Sequence, residues 1–143
     1  MNKKLLLTAL VVLATLTLAA CAPSVTSLSP EEGAAYAAEV DEYVESYLLG
    51  LSECDFAMHT RGFDPETWEG HLDESAFQQE CEAKLAESGA YLSKTLDHVE
   101  VRPGIRARVL IYHVVFANNQ DVTVTFYFSD DPNHLIIGME WEE

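Results

Sequence analysis

The chain has 143 residues, 24 Asp and Glu against eight Lys and Arg, and a formal net charge of −16. That length suits one domain built around one hydrophobic core. So acidic a surface repels phosphate backbones, which excludes nucleic acid as a partner, and its plainest consequence is solubility.

Lys3 and Lys4 precede an apolar stretch from Leu5 to Leu18, interrupted only by Thr8, Thr15 and Thr17. A spanning helix needs about 20 apolar residues, and this run is shorter. A basic start, a short apolar centre and small residues after it describe a secretory signal. The signal ends in Leu18-Ala19-Ala20-Cys21, which resembles the bacterial lipobox. That resemblance implies cleavage after Ala20, residues 1–20 as the signal peptide, and a lipidated Cys21 whose acyl chains, such as palmitate, hold an exported protein to the cell membrane or outer membrane. The expected relation to the membrane is therefore anchored, not spanning. An ordinary signal in which Cys21 is incidental is the alternative. Cleavage leaves 123 residues with six cations and 24 carboxylates, a net charge of −18. Anionic headgroups repel such a domain, so attachment rests on the acyl chains.

Beyond Cys21 the only cysteines are Cys54 and Cys81. Thiols oxidise outside the cytoplasm, so the pair predicts a Cys54–Cys81 disulfide, with two buried free thiols as the alternative. Residues 21–29 are rich in Pro, Ser and Thr without apolar periodicity and read as a tether, about 30 Å at full extension. Residues 30–143 form the single domain.

Ser29-Pro30-Glu31-Glu32 predicts a helix start, with Ser29 as N-cap, Pro30 in the first position and Glu32 closing a capping box. Tyr36, Val40, Tyr43, Tyr47 and Leu51 then share a face, widened by Val44 and Leu48, over a helix from Pro30 to about Ser52. An irregular stretch punctuated by Gly62, Asp64-Pro65 and Gly70 follows, in which Asp64 caps a short turn carrying Trp68 and Leu72. A further helix is expected from Glu74 to Glu87, with Phe77, Cys81 and Leu85 at spacing four, stopped by Gly89.

After Gly89 the period changes to alternation, predicting strands over Tyr91–Arg102, Ile105–Ala117, Val122–Ser129 and His134–Trp141. Val122, Val124, Phe126 and Phe128 face one way; Leu135, Ile137, Met139 and Trp141 are expected to share a face in the last strand. Short links make an antiparallel meander. The expected architecture is α+β: a long amino-terminal helix and a second helix packed on a curved antiparallel sheet of about four strands. Three segments, Leu48-Leu49-Gly50-Leu51 before Asp55-Phe56, Gly89-Ala90-Tyr91, and Gly138-Met139-Glu140-Trp141, together with this element order, resemble the cystatin-like fold of the nuclear transport factor 2-like superfamily. Small exported members of unknown function look especially similar. The resemblance speaks for the fold and says little about activity.

No phosphate-cradling glycine loop, nucleophile elbow or paired-cysteine metal motif is present, so no catalytic residue, metal or cofactor is assigned. Asp55 and His59, four apart, would meet on a helix as an acid–base pair or two metal ligands, and His71, Asp73 and Glu74 form a second polar knot; solvated loop polarity is the plainer reading of both. His113 alternates with Val109, Ile111 and Val115 on an apolar strand face and is either a core histidine or the group entering a sheet–helix cavity. Asp97 and His98, adjacent in a strand, should point to opposite faces. Tyr43, Tyr47, Tyr112, His113 and Trp141 are the candidate lining of a pocket for a small apolar ligand, although aromatics at such spacing also make plain core. Arg102, Arg106 and Arg108 balance local acids or contact a small anion.

These features lead to a membrane-anchored envelope lipoprotein acting as a non-enzymatic binding or interaction module. A pocket enzyme of isomerase or dehydratase type, with His113 or Asp55 as base, is the rival. An acidic inhibitor or decoy of a cationic protein is the third possibility.

Overall fold

The computed structural model describes residues 24–118 and 121–142, so the signal segment and Cys21 lie outside the described residues. In chain order the elements are β1 (Thr26–Ser27), α1 (Pro30–Glu53), α2 (Phe56–His59), α3 (Glu74–Ser88), β2 (Tyr91–Arg102), a 3-10 turn (Pro103–Ile105), β3 (Ala107–Phe116), β4 (Asp121–Ser129) and β5 (Ile136–Glu142). The strands form one five-stranded antiparallel sheet in the order β1-β2-β3-β4-β5, with the helices packed against it. None of the described helices is long and apolar enough to cross a membrane.

The sheet has five strands where four were expected. The extra one lies in the stretch read as a tether: Thr26 pairs with Val101, Ser27 with Glu100, and the Leu28 N–H donates to the Val99 carbonyl at 2.9 Å. No side-chain periodicity announced it, because an open sheet edge offers unpaired N–H and C=O groups to any extended backbone.

Helix α1 begins as its sequence predicts. Ser29 and Glu32 form the reciprocal capping box, and Pro30 opens the first turn. Val40, Val44 and Leu48 are fully buried, with Tyr36 and Tyr47 nearly so. They meet the inner face of the sheet, where Leu110, Val114, Val124, Phe126 and Phe128 are also fully buried. Each such side chain contributes about 1.5–3 kcal/mol relative to exposure.

Two bulges correct the face assignments. Leu96 pairs with Tyr112 and His98 with Ile111, so one extra residue, Asp97, sits between them. Asp97 and His98 therefore do not part to opposite faces; the His98 Nδ1 lies 2.7 Å from the Asp97 carboxylate. In β5, Tyr127 pairs with Gly138 and Phe128 with Ile136. Ile136 is consequently the fully buried residue, and Ile137 is not. A bulge inserts one residue and turns the alternation over, which periodicity alone cannot reveal.

Helix α1 ends at Cys54, in the left-handed conformation with φ 51° and its N–H bonded to the Gly50 carbonyl. A non-glycine residue there costs about 1–2 kcal/mol. Cys54 and Cys81 lie with their sulfurs at bonding distance and their Cα atoms 5.7 Å apart, linking the end of α1 to the middle of α3. Cys81 is fully buried, whereas most of α3 is exposed. The helix is held through Cys81, through Phe77, 5.6 Å from the Phe56 ring and 4.6 Å from His59, and at its end through buried Ser88, whose carbonyl accepts from the Asn118 N–H. The bridge spans a sequence separation of 27 residues, for which loop closure contributes about 3–4 kcal/mol. Replacing both cysteines by serine should lower Tm by on the order of 10 °C in a thermal melt. Equal melts for the oxidised and the double-serine protein would show that closing this loop contributes nothing.

Candidate functional site

The carboxyl-terminal half of α1 and the short helix α2 meet at Gly50. A methyl group there would overlap the backbone nitrogen and Cα of His59, so only glycine admits α2 at this distance. Asp55 caps α2, accepting from the Met58 N–H at 2.8 Å, and the helix delivers His59 onto Tyr47. The His59 Nδ1 lies 3.1 Å from the Tyr47 carbonyl. A carbonyl only accepts, so Nδ1 carries the proton and Nε2 is the ring's acceptor in the neutral form. The imidazole is sandwiched between Tyr47 and Phe77, with centroids 4.3 and 4.6 Å away. Burial lowers its pKa below the usual histidine value, partly opposed by the bond to Tyr47. His59 is thus neutral at pH 7.

This ring walls two adjoining hollows. One, of about 280 Å³, lies between α1, α2, α3 and β5 and adds Tyr47, Phe77, Lys84 and Trp141. The other, of about 240 Å³, continues past His59, Phe77 and Glu80 to Phe63, Trp68 and Met139. The aromatic walls are fixed by polar tips. The Trp141 Nε1–H donates to the Tyr47 hydroxyl at 3.1 Å, and the Trp68 Nε1–H to the Ile136 carbonyl at 2.9 Å. Phe63 stacks on Trp68 at 4.7 Å and forms a bridge to Ile136, which clamps the loop after α2 to β5. Lys84 lies 5.7 Å from the Trp141 centroid, a cation–π contact at the rim. The result is a cleft with largely aromatic walls, into which the His59 Nε2, the His71 imidazole, the carboxylates of Asp73 and Glu80 and the Lys84 ammonium bring the polar groups. Such a lining suits a planar, mainly apolar molecule with a donor directed at His59.

The structure divides the candidate pocket residues. Tyr47 and Trp141 line the cleft together. Tyr43 is half-buried, packed over Gly62, and lines neither hollow. Tyr112 is buried at a separate groove beside the first half of α1. His113 is exposed on the outer face of the sheet, between Thr95 and Thr123, and not among the core residues. The pleat of β3 turns Leu110, Tyr112, Val114 and Phe116 toward the helices; its apolar residues occupy both faces, so alternation could not say which was inner.

Asp55 does not pair with His59, because its carboxylate caps the helix instead. Asp73 likewise caps α3, accepting from the Ala76 N–H at 2.9 Å. His71 walls the second hollow. Among the described residues no group of three or more His, Cys, Asp or Glu converges as a metal site would. Arg102 pairs with Glu100 at 2.7 Å and lies over the Tyr127 ring, and Arg108 pairs with Asp130 at 3.3 Å and lies over Tyr36. His59 is the residue that spacing noticed for the wrong partner: its role depends on Gly50, nine positions earlier.

The chain matches no known family model, no curated protein and no solved structure.

Two outcomes follow from the seating of His59. An unfolded chain takes up the imidazole proton near pH 6.5 and the folded one resists it, so stability should fall as pH drops from about 6.5 toward the lowered value. His98 carries the opposite sign, its pKa raised by Asp97 and then Glu100, but its exposure to solvent screens that contribution. Chemical denaturation between pH 7 and 5 should therefore show a decline that His59→Gln flattens; an equal slope in the variant would contradict the neutral imidazole. Gly50→Ala should cost about 1–3 kcal/mol through overpacking, and unchanged stability would mean that α2 is free to retreat from α1.

Proposed function

We propose that the protein is an exported lipoprotein, anchored through Cys21, whose domain has a cystatin-like architecture and binds a small planar ligand in the aromatic cleft. The observation that carries this reading is His59, held between the tilted rings of Tyr47 and Phe77 with Nδ1 on the Tyr47 carbonyl and Nε2 making no hydrogen bond among the described residues. A ligand that stacks against Trp141 or Phe77 and donates an N–H or O–H to that nitrogen would satisfy it. The amino-terminal signal and the oxidisable Cys54–Cys81 pair support a location outside the cytoplasm.

Trp68 and Trp141 both line the cleft, so intrinsic fluorescence reports on occupancy. Indole or benzimidazole should quench it saturably, and a ring of the same shape lacking the N–H should bind several-fold less tightly. His59→Ala should weaken the N–H ligand by about tenfold, the equivalent of one hydrogen bond with its packing. Failure of every planar heterocycle to saturate the signal would end the binding reading. Mass spectrometry of the membrane fraction tests the anchor separately: an acylated Cys21 at the mature terminus is expected, and an unmodified one refutes it.

A further inference from the structure

Toward the start of α1, away from the cleft, a second groove of about 500 Å³ runs between the helix and strands β2 and β3. Its floor on α1 is made of Ala34, Ala37 and Ala38, followed by Asp41; Lys94 and Leu96 of β2 and Tyr112 of β3 complete it. Alanines there keep the helix from filling the space that the longer side chains of its other turns fill. Tyr112 is only 3% exposed, and its hydroxyl has no hydrogen-bond partner. Buried polar groups are nearly always paired, so this one points to a ligand or solvent group in the groove.

The charge around it is lopsided. The Lys94 ammonium contacts the Asp41 carboxylate at 3.1 Å and also pairs with Glu45. Burial opposes that charge, but the bonds to Glu45 and Asp41 more than offset it. Glu45 additionally accepts from the Tyr91 hydroxyl at 3.1 Å. Two carboxylates thus face one ammonium, and Asp41 remains about half exposed at the groove's mouth, with 54% of its side chain accessible. An anionic ligand would be repelled there, and an ammonium attracted. The phenol stays protonated, its pKa pushed up to about 12 by burial and then by Asp41, so its oxygen is free to accept an N–H.

We infer that this groove is a second binding site, which takes the terminal ammonium of a linear aliphatic amine, from a free polyamine or from a lysine side chain. The ammonium donates to the Tyr112 hydroxyl and the Asp41 carboxylate, while the methylene chain lies along the alanine methyls and Leu96. This inference is independent of the aromatic cleft and of the anchor.

Calorimetric titration of the mature, detergent-solubilised protein with cadaverine tests it. Saturable binding is expected for cadaverine and none for hexanoate, which has similar length and opposite charge. Asp41→Asn should weaken cadaverine at least fivefold, and Tyr112→Phe about threefold without lowering Tm. Ala38→Leu should abolish binding by filling the groove. Glu82→Gln, the same charge change on exposed α3, should leave the affinity unchanged. A peptide with a blocked amino terminus and a free lysine ammonium that outcompetes cadaverine would identify the source as a protein partner; the reverse order would identify a free polyamine. No saturable binding, equal affinity for hexanoate, or equal weakening by Asp41→Asn and Glu82→Gln would overturn the proposal.

Discussion

The architecture depends on α1 lying across the inner face of the antiparallel sheet. Val40, Val44 and Leu48 lie fully buried along the helix, and the inner-face residues of β3 and β4 opposite them are equally sealed. A sheet with one apolar face and a helix with one apolar stripe are each unstable alone, and together they remove both surfaces from water. Everything else is arranged around that contact. β1 extends the sheet at its β2 edge, β5 at the other, and α2 and α3 close the end where α1 leaves the sheet.

The two hollows and the groove arise where this packing is interrupted. At the carboxyl-terminal end of α1, Gly50 draws α2 close, and the helix axis then has to stop at Cys54 to let the chain turn. The aromatic rings there serve both as core and as wall: Tyr47 packs against Phe126 at 5.2 Å on one side and against His59 on the other. At the amino-terminal end, alanines replace large side chains and leave the groove over Tyr112. The disulfide joins α1 to α3, so the covalent link and the wall of the first hollow share the residue Cys81.

The acidity of the surface is spread over most elements, and the few cations are used locally. Arg102, Arg108 and Lys94 each meet a neighbouring carboxylate, and Arg61 meets Glu42 at 3.2 Å. The arginine pairs are open to solvent and contribute little individually, whereas Lys94 is largely buried against Asp41 and Glu45; the excess negative charge remains available for solubility and for attracting cationic molecules. Under the proposed anchoring, the pairing of Thr26 and Ser27 with β2 leaves four residues between Cys21 and the sheet edge. At full extension the stretch from Cys21 to Thr26 reaches roughly 17 Å, which would hold the β2 end of the domain near the lipid surface.

Much of the architecture was legible from local chemistry. The Ser29–Glu32 capping box, the stripe on α1, the stop at Gly89, the alternation in β4 and the pairing of two cysteines are each set by residues within a few positions, or by residue type and redox chemistry. What local patterns could not decide was anything that depends on the backbone's neighbours across space. The strand at Thr26–Ser27 forms through main-chain bonds to a partner 73 to 75 residues away, the bulges at Asp97 and Ile137 reverse faces without a signal in side-chain type, and β3 is apolar on both sides. Hence His113, chosen by alternation, lies outside, and His59, seen only as a neighbour of Asp55, lies in the cleft. Sequence alone determined the two long helices and the four long strands, because these follow from side-chain periodicity. Only the tertiary structure decided which aromatic rings share a cavity and which hydroxyl is left without a partner, because both depend on how closely Gly50 and the α1 alanines let separate elements approach.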